Sequence, residues 1–84
     1  MKVRYYLDVL KAHQPGVDLV ARNLLKINGA TKVCIKVDEL DQETASLYIN
    51  VEGTNLTLNE IIGILDSMNC ELHSVDQVDM EKED

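Results

Sequence analysis

The chain is poor in aromatic and basic residues. Its 84 residues include three tyrosines but no tryptophan or phenylalanine, and eight Lys and Arg stand against fifteen Asp and Glu. The resulting net charge of -7 argues against broad binding along a nucleic-acid backbone, because such binding needs a basic surface. A domain of this size buries only about 60–65% of the surface of its unfolded chain, so its thin core favours association with a partner.

Long apolar runs and cysteine clusters are missing as well. No run approaches the roughly 20 apolar residues of a membrane-spanning helix, so we expect no membrane partner. The first residues lead directly into a strand pattern and do not have the shape of a signal peptide. The two cysteines, Cys34 and Cys70, are too scattered to form a disulfide framework. Together these features predict a cytoplasmic protein whose thiols stay free in a reducing compartment.

What the sequence does contain is an ordered succession of strand and helix patterns. The strand patterns cover residues 2–10, 32–38, 45–52 and 70–78, and the helix patterns lie over 15–29 and 57–69. The first strand is apolar on both faces, which predicts a central position in a sheet. The second and third strands alternate strictly around a polar turn and therefore predict a hairpin. In the last strand the apolar residues are three apart, which indicates a β-bulge or an irregular strand end.

Several residues mark the predicted ends of these patterns. Pro15 suits the first turn of the first helix, where its missing N–H is not needed. Gly53, Thr54 and Asn55 are expected to break the hairpin. Thr57 and Glu60 have the spacing of a capping box at the start of the second helix. Asn69 can end that helix in the left-handed region.

The order strand, helix, strand, strand, helix, strand is the pattern of the ferredoxin-like, or split βαβ, motif. With right-handed crossovers it predicts an α+β sandwich. Its antiparallel sheet has the order 4-1-3-2, and both helices lie on one face. We predict a single domain over residues 1–79, followed by a charged, frayed tail at 80–84.

This topology brings the end of strand one, the end of strand two, the hairpin turn and the start of strand four to one end of the sheet. Seven acidic or histidine residues occupy these positions: Asp8, His13, Asp38, Glu39, Asp41, Glu43 and His73. Carboxylate oxygens suit calcium or magnesium, and imidazoles suit zinc. We therefore predict a divalent-cation site, with zinc less favoured than calcium or magnesium. A solvated acidic rim is the alternative, and either histidine alone could instead cap a helix or bind a backbone carbonyl.

An interaction or regulatory module is the best supported function class, ahead of an enzyme or an RNA binder. A histidine near carboxylates could act as a general base, but no nucleophile is specified, so we predict that the protein is not an enzyme. On the sheet face without helices, Tyr6, Cys34 and Tyr48 are candidates for a homo-oligomer interface. The two tyrosines could also stack RNA bases, although the charge makes a nucleic-acid partner the weaker alternative. A small-ligand-sensing module at subunit boundaries is the other alternative.

Residues 7–15, 39–44 and 72–76 resemble stretches of a small archaeal family catalogued as domain of unknown function two hundred and eleven. That family usually has proline where this chain has Ala12, and two glycines where it has Asn69 and Cys70. These departures affect loop geometry and leave the polar residues in place. The resemblance implies a ferredoxin-like fold, assembly into homo-oligomers and an archaeal, cytoplasmic origin. It implies no established activity.

Overall fold

Two helices and four strands follow one another in the predicted order. The structure is a computed structural model that describes residues 1–83. Its elements are β1 (Lys2–Ala12), α1 (Val17–Leu25), β2 (Ala30–Leu40), β3 (Thr44–Thr54), α2 (Leu58–Ser67) and β4 (Cys70–Glu81). All strand pairs are antiparallel, and the sheet order β2-β3-β1-β4 is the predicted order read from the other edge. The ferredoxin-like α+β fold is therefore confirmed.

The core lies between the helices and one face of the sheet, with β1 in a central position. β1 pairs with β3 along its whole length and with β4 from Lys2 to Lys11. Alternate side chains of the two central strands are buried: Val3, Tyr5, Leu7 and Val9 on β1, and Ala45, Leu47, Ile49 and Val51 on β3. The helices contribute Val20 and Leu24 from α1 and Ile61 and Leu65 from α2. Each fully buried aliphatic side chain stabilises the fold by about 1.5–3 kcal/mol, so this face holds the domain together.

The second helix begins and ends where local signals predict. The amide of Glu60 donates to Thr57 Oγ1 at 3.4 Å, so Thr57 is the N-cap, and the Thr57 hydroxyl donates to Glu60 Oε1 at 2.8 Å. Asn69, just past this helix, has a φ of 60° and occupies the left-handed region. Within residues 1–83, neither helix is long and apolar enough to cross a membrane.

The prediction that Pro15 lies in the first turn of α1 is wrong. Gly16 is the N-cap, and its carbonyl accepts hydrogen bonds from the amides of Leu19 and Val20, both at 3.2 Å. The carbonyl of Pro15 instead accepts a hydrogen bond from a lysine side chain of the preceding strand. Pro15 is therefore held in the loop before the helix.

β3 continues through Gly53 and Thr54, the first two residues of the predicted break, so the strand ends within that stretch and the break begins at Asn55. A Cβ atom on Gly53 would lie 2.2 Å from the carbonyl oxygen of Gly29, just before β2. Gly29 has a φ of +92°, and the amide of Thr54 donates to its carbonyl at 2.9 Å. Glycine at position 53 therefore allows two backbones to approach closely, and it does not end the strand.

Two register shifts explain the irregular spacing in β4. The pairing of β1 with β4 shifts between Tyr6 and Leu7 and again between Asp8 and Val9. Each shift absorbs one extra residue, so apolar side chains three apart all lie opposite core-facing residues of β1. These side chains are Leu72, Val75 and Val78. The bulge predicted from the spacing is thus present twice.

The last strand is longer than the sequence predicted. Met80 pairs with Val3 and Glu81 pairs with Lys2, so both residues belong to β4 and not to a frayed tail. Pairing with the start of β1 gives their backbone groups hydrogen-bond partners, which is the physical reason for the extension. Asp84, the last residue of the predicted tail, lies outside the described residues.

Candidate functional site

The sheet face opposite the helices is called here the open face. It carries most of the polar side chains that are candidates for binding a ligand or a second protein. Because side chains alternate along a strand, it is formed by the residues between the buried ones. They are Lys32, Cys34 and Lys36 on β2, Ser46, Tyr48, Asn50 and Glu52 on β3, Arg4, Tyr6, Asp8 and Leu10 on β1, and Glu71, Ser74, Gln77 and Asp79 on β4. The three predicted interface residues, Tyr6, Cys34 and Tyr48, all lie on this face.

A row of four charged residues crosses the open face near the start of β1. Lys32 lies opposite Glu52, Glu52 lies opposite Arg4, and Arg4 lies opposite Asp79, and we call these four residues the charged row. Arg4 forms a salt bridge with Glu52, and its Nη1 lies 3.9 Å from Asp79 Oδ2. The guanidinium lowers the pKa of Glu52, and Glu52 in turn raises the pKa of Arg4.

Tyr6 connects the charged row to the middle of the open face. Arg4 Nη1 donates to the Tyr6 hydroxyl at 3.3 Å, and this hydroxyl donates to Asp79 Oδ2 at 3.3 Å. Shallow hollows of about 260 and 250 Å³ lie on the two sides of Arg4. Met80 helps to line the first hollow, and Cys34 helps to line the second.

A second cluster, called here the acidic patch, consists of Asp8, Asp38 and Asp76 around Tyr48. Asp8 lies opposite Tyr48 in the pairing of β1 with β3. The pKa of Tyr48 is raised first by the charge of Asp38, then by burial, then by the charge of Asp8, with a smaller contribution from Asp76. Carboxylates near the hydroxyl disfavour the phenolate, so the direction of the shift reports a negative field at this position.

The seven predicted cation ligands are distributed over more than one place. Asp8 and Asp38 come together at the acidic patch, and Glu39 lies opposite Ser46 on the same face. Asp41 and Glu43 are exposed around the hairpin turn, and His73 is exposed at a register shift of β4. Within residues 1–83, no three His, Cys, Asp or Glu side chains lie close enough together to hold a metal ion.

His13 lies in the loop after β1, beside the hairpin turn, as the topology predicts. Its partner there is a backbone carbonyl and not a cation. Its Nε2–H donates to the backbone carbonyl of Asp41 at 2.7 Å, so the loop after β1 lies against the hairpin turn. This contact is the backbone-carbonyl alternative considered for the histidines. The same nitrogen is not available to a metal while the hydrogen bond is made.

Sequence reasoning missed Lys11, the one buried charged residue of the described chain. Its side chain is only 3% exposed. The ammonium donates to three backbone carbonyls, those of Ala12 at 2.6 Å, His13 at 3.0 Å and Pro15 at 2.7 Å. All three N–H donors of the lysine are therefore satisfied. Extending the period-two pattern of β1 past Val9 would have placed Lys11 on the core side, and this was the available signal.

The two thiols are free, as predicted, and differ in environment. Cys34 is exposed on β2, and Cys70 is buried at the start of β4. Burial raises the pKa of the Cys70 thiol, because the charged thiolate is poorly solvated there. β2 and β4 are the two edges of the sheet, so the thiols are on opposite sides of the domain.

Fold and surface together define a small ferredoxin-like domain with one sheet face that its own helices leave uncovered. Over residues 3–83 the chain matches the model of a family described as "DUF211: Uncharacterized ArCR". It is also 37% identical over 75 residues to "Uncharacterized protein MJ0319" of Methanocaldococcus jannaschii, a match that covers 89% of this chain and 77% of the relative. The chain belongs to the DUF211 family, as its signature stretches predicted.

Proposed function

We propose that this protein is a non-enzymatic homo-oligomer that assembles through the strand surfaces its helices do not cover. The observation that carries the proposal is the exposure of large side chains on these surfaces. Tyr48 on the open face is 42% exposed, and Val78 and Met80, on the helix side of the β4 edge, are 44% and 58% exposed. Burying apolar surface stabilises by about 25 cal/mol per Å², so a second copy that covers these groups would add to a small core.

The open face is proposed as a contact surface between copies. Tyr48 and Tyr6 supply aromatic surface with a polar end, which is typical of interface anchors. Cys34 lies on the neighbouring strand and is also exposed. The charged row and the acidic patch would give such a contact its specificity, because unlike charges must meet.

Light scattering coupled to size-exclusion chromatography tests this proposal. The expected result is a mass that is a multiple of the 9.4 kDa chain, and this mass should decrease when the protein is diluted. A stable monomer at high concentration would contradict the proposal. The proposal that the protein is not an enzyme is tested separately. It would be contradicted by a catalytic turnover that a substitution on the open face abolishes.

Divalent-cation binding at the acidic patch is a second candidate, supported by the position of Asp8 opposite Tyr48, where the charges of Asp38 and Asp76 also act. A bound calcium or magnesium ion would neutralise part of the negative field of Asp8, Asp38 and Asp76. Calcium is coordinated in flexible geometry by water and by carboxylates from separate segments. A second copy or solvent could therefore complete its coordination shell. Small-ligand sensing in the hollows beside Arg4 is an alternative, and RNA binding, which a gel shift would detect, is a weaker one.

A further inference from the structure

The charged row alternates in sign from one edge of the sheet to the other. Lys32 at the β2 edge is positive, Glu52 is negative, Arg4 is positive, and Asp79 at the β4 edge is negative. Glu52 and Arg4, the two inner members of the row, therefore each have a residue of opposite charge on both sides. The two outer members each lack a neighbour on the edge side within residues 1–83. A lysine at one end and an aspartate at the other make the row complementary to a second copy of itself.

The helix side of the sheet shows the same continuity with apolar residues. One row across the four strands consists of Val33, Val51, Tyr5 and Val78. The next consists of Ile35, Ile49, Leu7 and Val75. The central members are buried, whereas Val75 and Val78 at the β4 edge are exposed and Val33 and Ile35 at the β2 edge are half-buried. Both apolar rows therefore end at the edges in side chains that another strand would cover.

We propose that the β4 edge of one copy pairs with the β2 edge of a second copy, so that Asp79 lies opposite Lys32 of that copy. The inference rests on the proposed homo-oligomer and adds an edge contact to its open-face contact. β2 runs parallel to β1 and β4 runs antiparallel to it, so the two edges meet as antiparallel strands. The sheet then continues with the helices of both copies on the same side, and the unpaired backbone groups of both edges find partners.

Charge and edge coverage together favour this arrangement over pairing of like edges. Two β4 edges side by side would place Asp76, Asp79 and Glu81 of one copy near the same residues of the other. Like charges directly opposite in a sheet destabilise it. Two β2 edges could pair Lys32 of one copy with Asp38 of the other, but that contact would leave both β4 edges without a partner strand. Contact between unlike edges is heterologous, so it repeats from copy to copy and gives a ring or an open filament.

Two charge reversals test the edge contact. Lys32→Glu and Asp79→Lys each put like charges at the proposed contact, and each variant alone should have a lower mass than the wild type by light scattering. We expect the dissociation constant of the edge contact to rise about tenfold or more. Mixing the two variants should restore the wild-type mass. The glutamate at position 32 then faces the lysine at position 79, and the unchanged pair forms the next contact.

The mixing step separates the edge contact from effects within one chain. Lys32 also lies opposite Glu52, and Asp79 contacts Tyr6, so each reversal disturbs its own fold. Mixing cannot repair such damage. Lys26→Glu makes the same charge change on an exposed residue after α1 and should leave the mass unchanged. If the wild type is assembled and the single variants stay assembled as well, the edge contact alone is overturned. The same conclusion follows if the mixture of the two variants keeps a low mass. A monomeric wild type overturns the homo-oligomer as well.

Discussion

The ammonium of Lys11 lies 2.7 Å from the carbonyl oxygen of Pro15, four residues further along the chain. With two more carbonyls bound to the same group, the lysine closes the loop between β1 and α1 into a compact turn. Asn69 binds the same loop from the end of α2, because its side-chain amide donates to the carbonyl of Gln14 at 3.2 Å. This loop also holds His13 against the hairpin turn.

Replacing Lys11 with methionine should destabilise the protein. Methionine keeps much of the apolar stem but removes the donor from three carbonyls, and an unsatisfied buried polar group costs about 1–3 kcal/mol. Urea unfolding followed by circular dichroism measures the free energy of unfolding. Lys26→Met removes an exposed ammonium from the end of α1 and is the matched control, with a change expected to stay within about 0.5 kcal/mol. Equal losses in both variants would show that the carbonyl contacts are not what stabilises the loop.

The phenol of Tyr48 should titrate above its ordinary pKa of 10.0. Asp38→Asn removes the largest cause of the shift, so the pKa of Tyr48 should move back towards that value. Ultraviolet absorbance of the phenolate, with Tyr48→Phe to identify the signal among three tyrosines, measures the change. Asp66→Asn on α2 is the control and should leave the titration unchanged.

The same shift has a consequence for stability at high pH. The folded state holds the Tyr48 proton more tightly than the unfolded state, so the unfolded state binds fewer protons once the pH exceeds about 10. The contribution is complete below that value and is lost as the pH rises through the raised pKa. Unfolding midpoints of Tyr48→Phe should therefore fall less than those of the wild type over this range. Parallel curves for the two proteins would contradict the linkage.

Tyr48→Ala should weaken assembly through the open face. Truncating a large aromatic anchor at an interface typically removes a substantial part of the binding energy, so the dissociation constant should rise about tenfold or more. Tyr6→Asp should act in the same direction because it places a charge beside Asp79. Leu19→Ala, a comparably exposed apolar residue on α1, is the control. If sedimentation gives the same dissociation constant for Tyr48→Ala and wild type, the open face is not the interface.

Calcium or magnesium should raise the melting temperature if a cation binds the folded form alone. A ligand at 100 times its dissociation constant adds about 2.7 kcal/mol to stability. Asp8→Asn should reduce the rise, and Asp66→Asn, which removes a carboxylate from α2, should not. A response to zinc alone would instead indicate His13 and His73. Identical melting curves with each metal and with chelator, at constant ionic strength, would leave the acidic patch as solvated surface.

What the sequence determined by itself are the features that depend on near neighbours. The helix cap of Thr57 with Glu60 spans four residues, and the left-handed Asn69 follows from the chemistry of one residue. Periodicity of two identified the hairpin strands, helical spacing identified both helices, and the order of the elements left few topologies. Spacings of three in the last strand indicated a bulge or an irregular strand end, because an extra residue keeps such side chains on one face.

What only the tertiary structure decided are the relationships between distant segments. Gly53 belongs to a strand because the backbone at Gly29 approaches it closely, and no local signal distinguishes that from a turn. The alternating charged row depends on the register of three strand pairs, and a slip of one residue in any pair would send its members to opposite faces. The seven predicted ligands share one end of the topology but are spread over the open face, the loop after β1, the hairpin turn and a bulge of β4. Topology shows only which strand ends are neighbours in the fold. A coordination shell requires each ligand atom to lie about 2–3 Å from the metal.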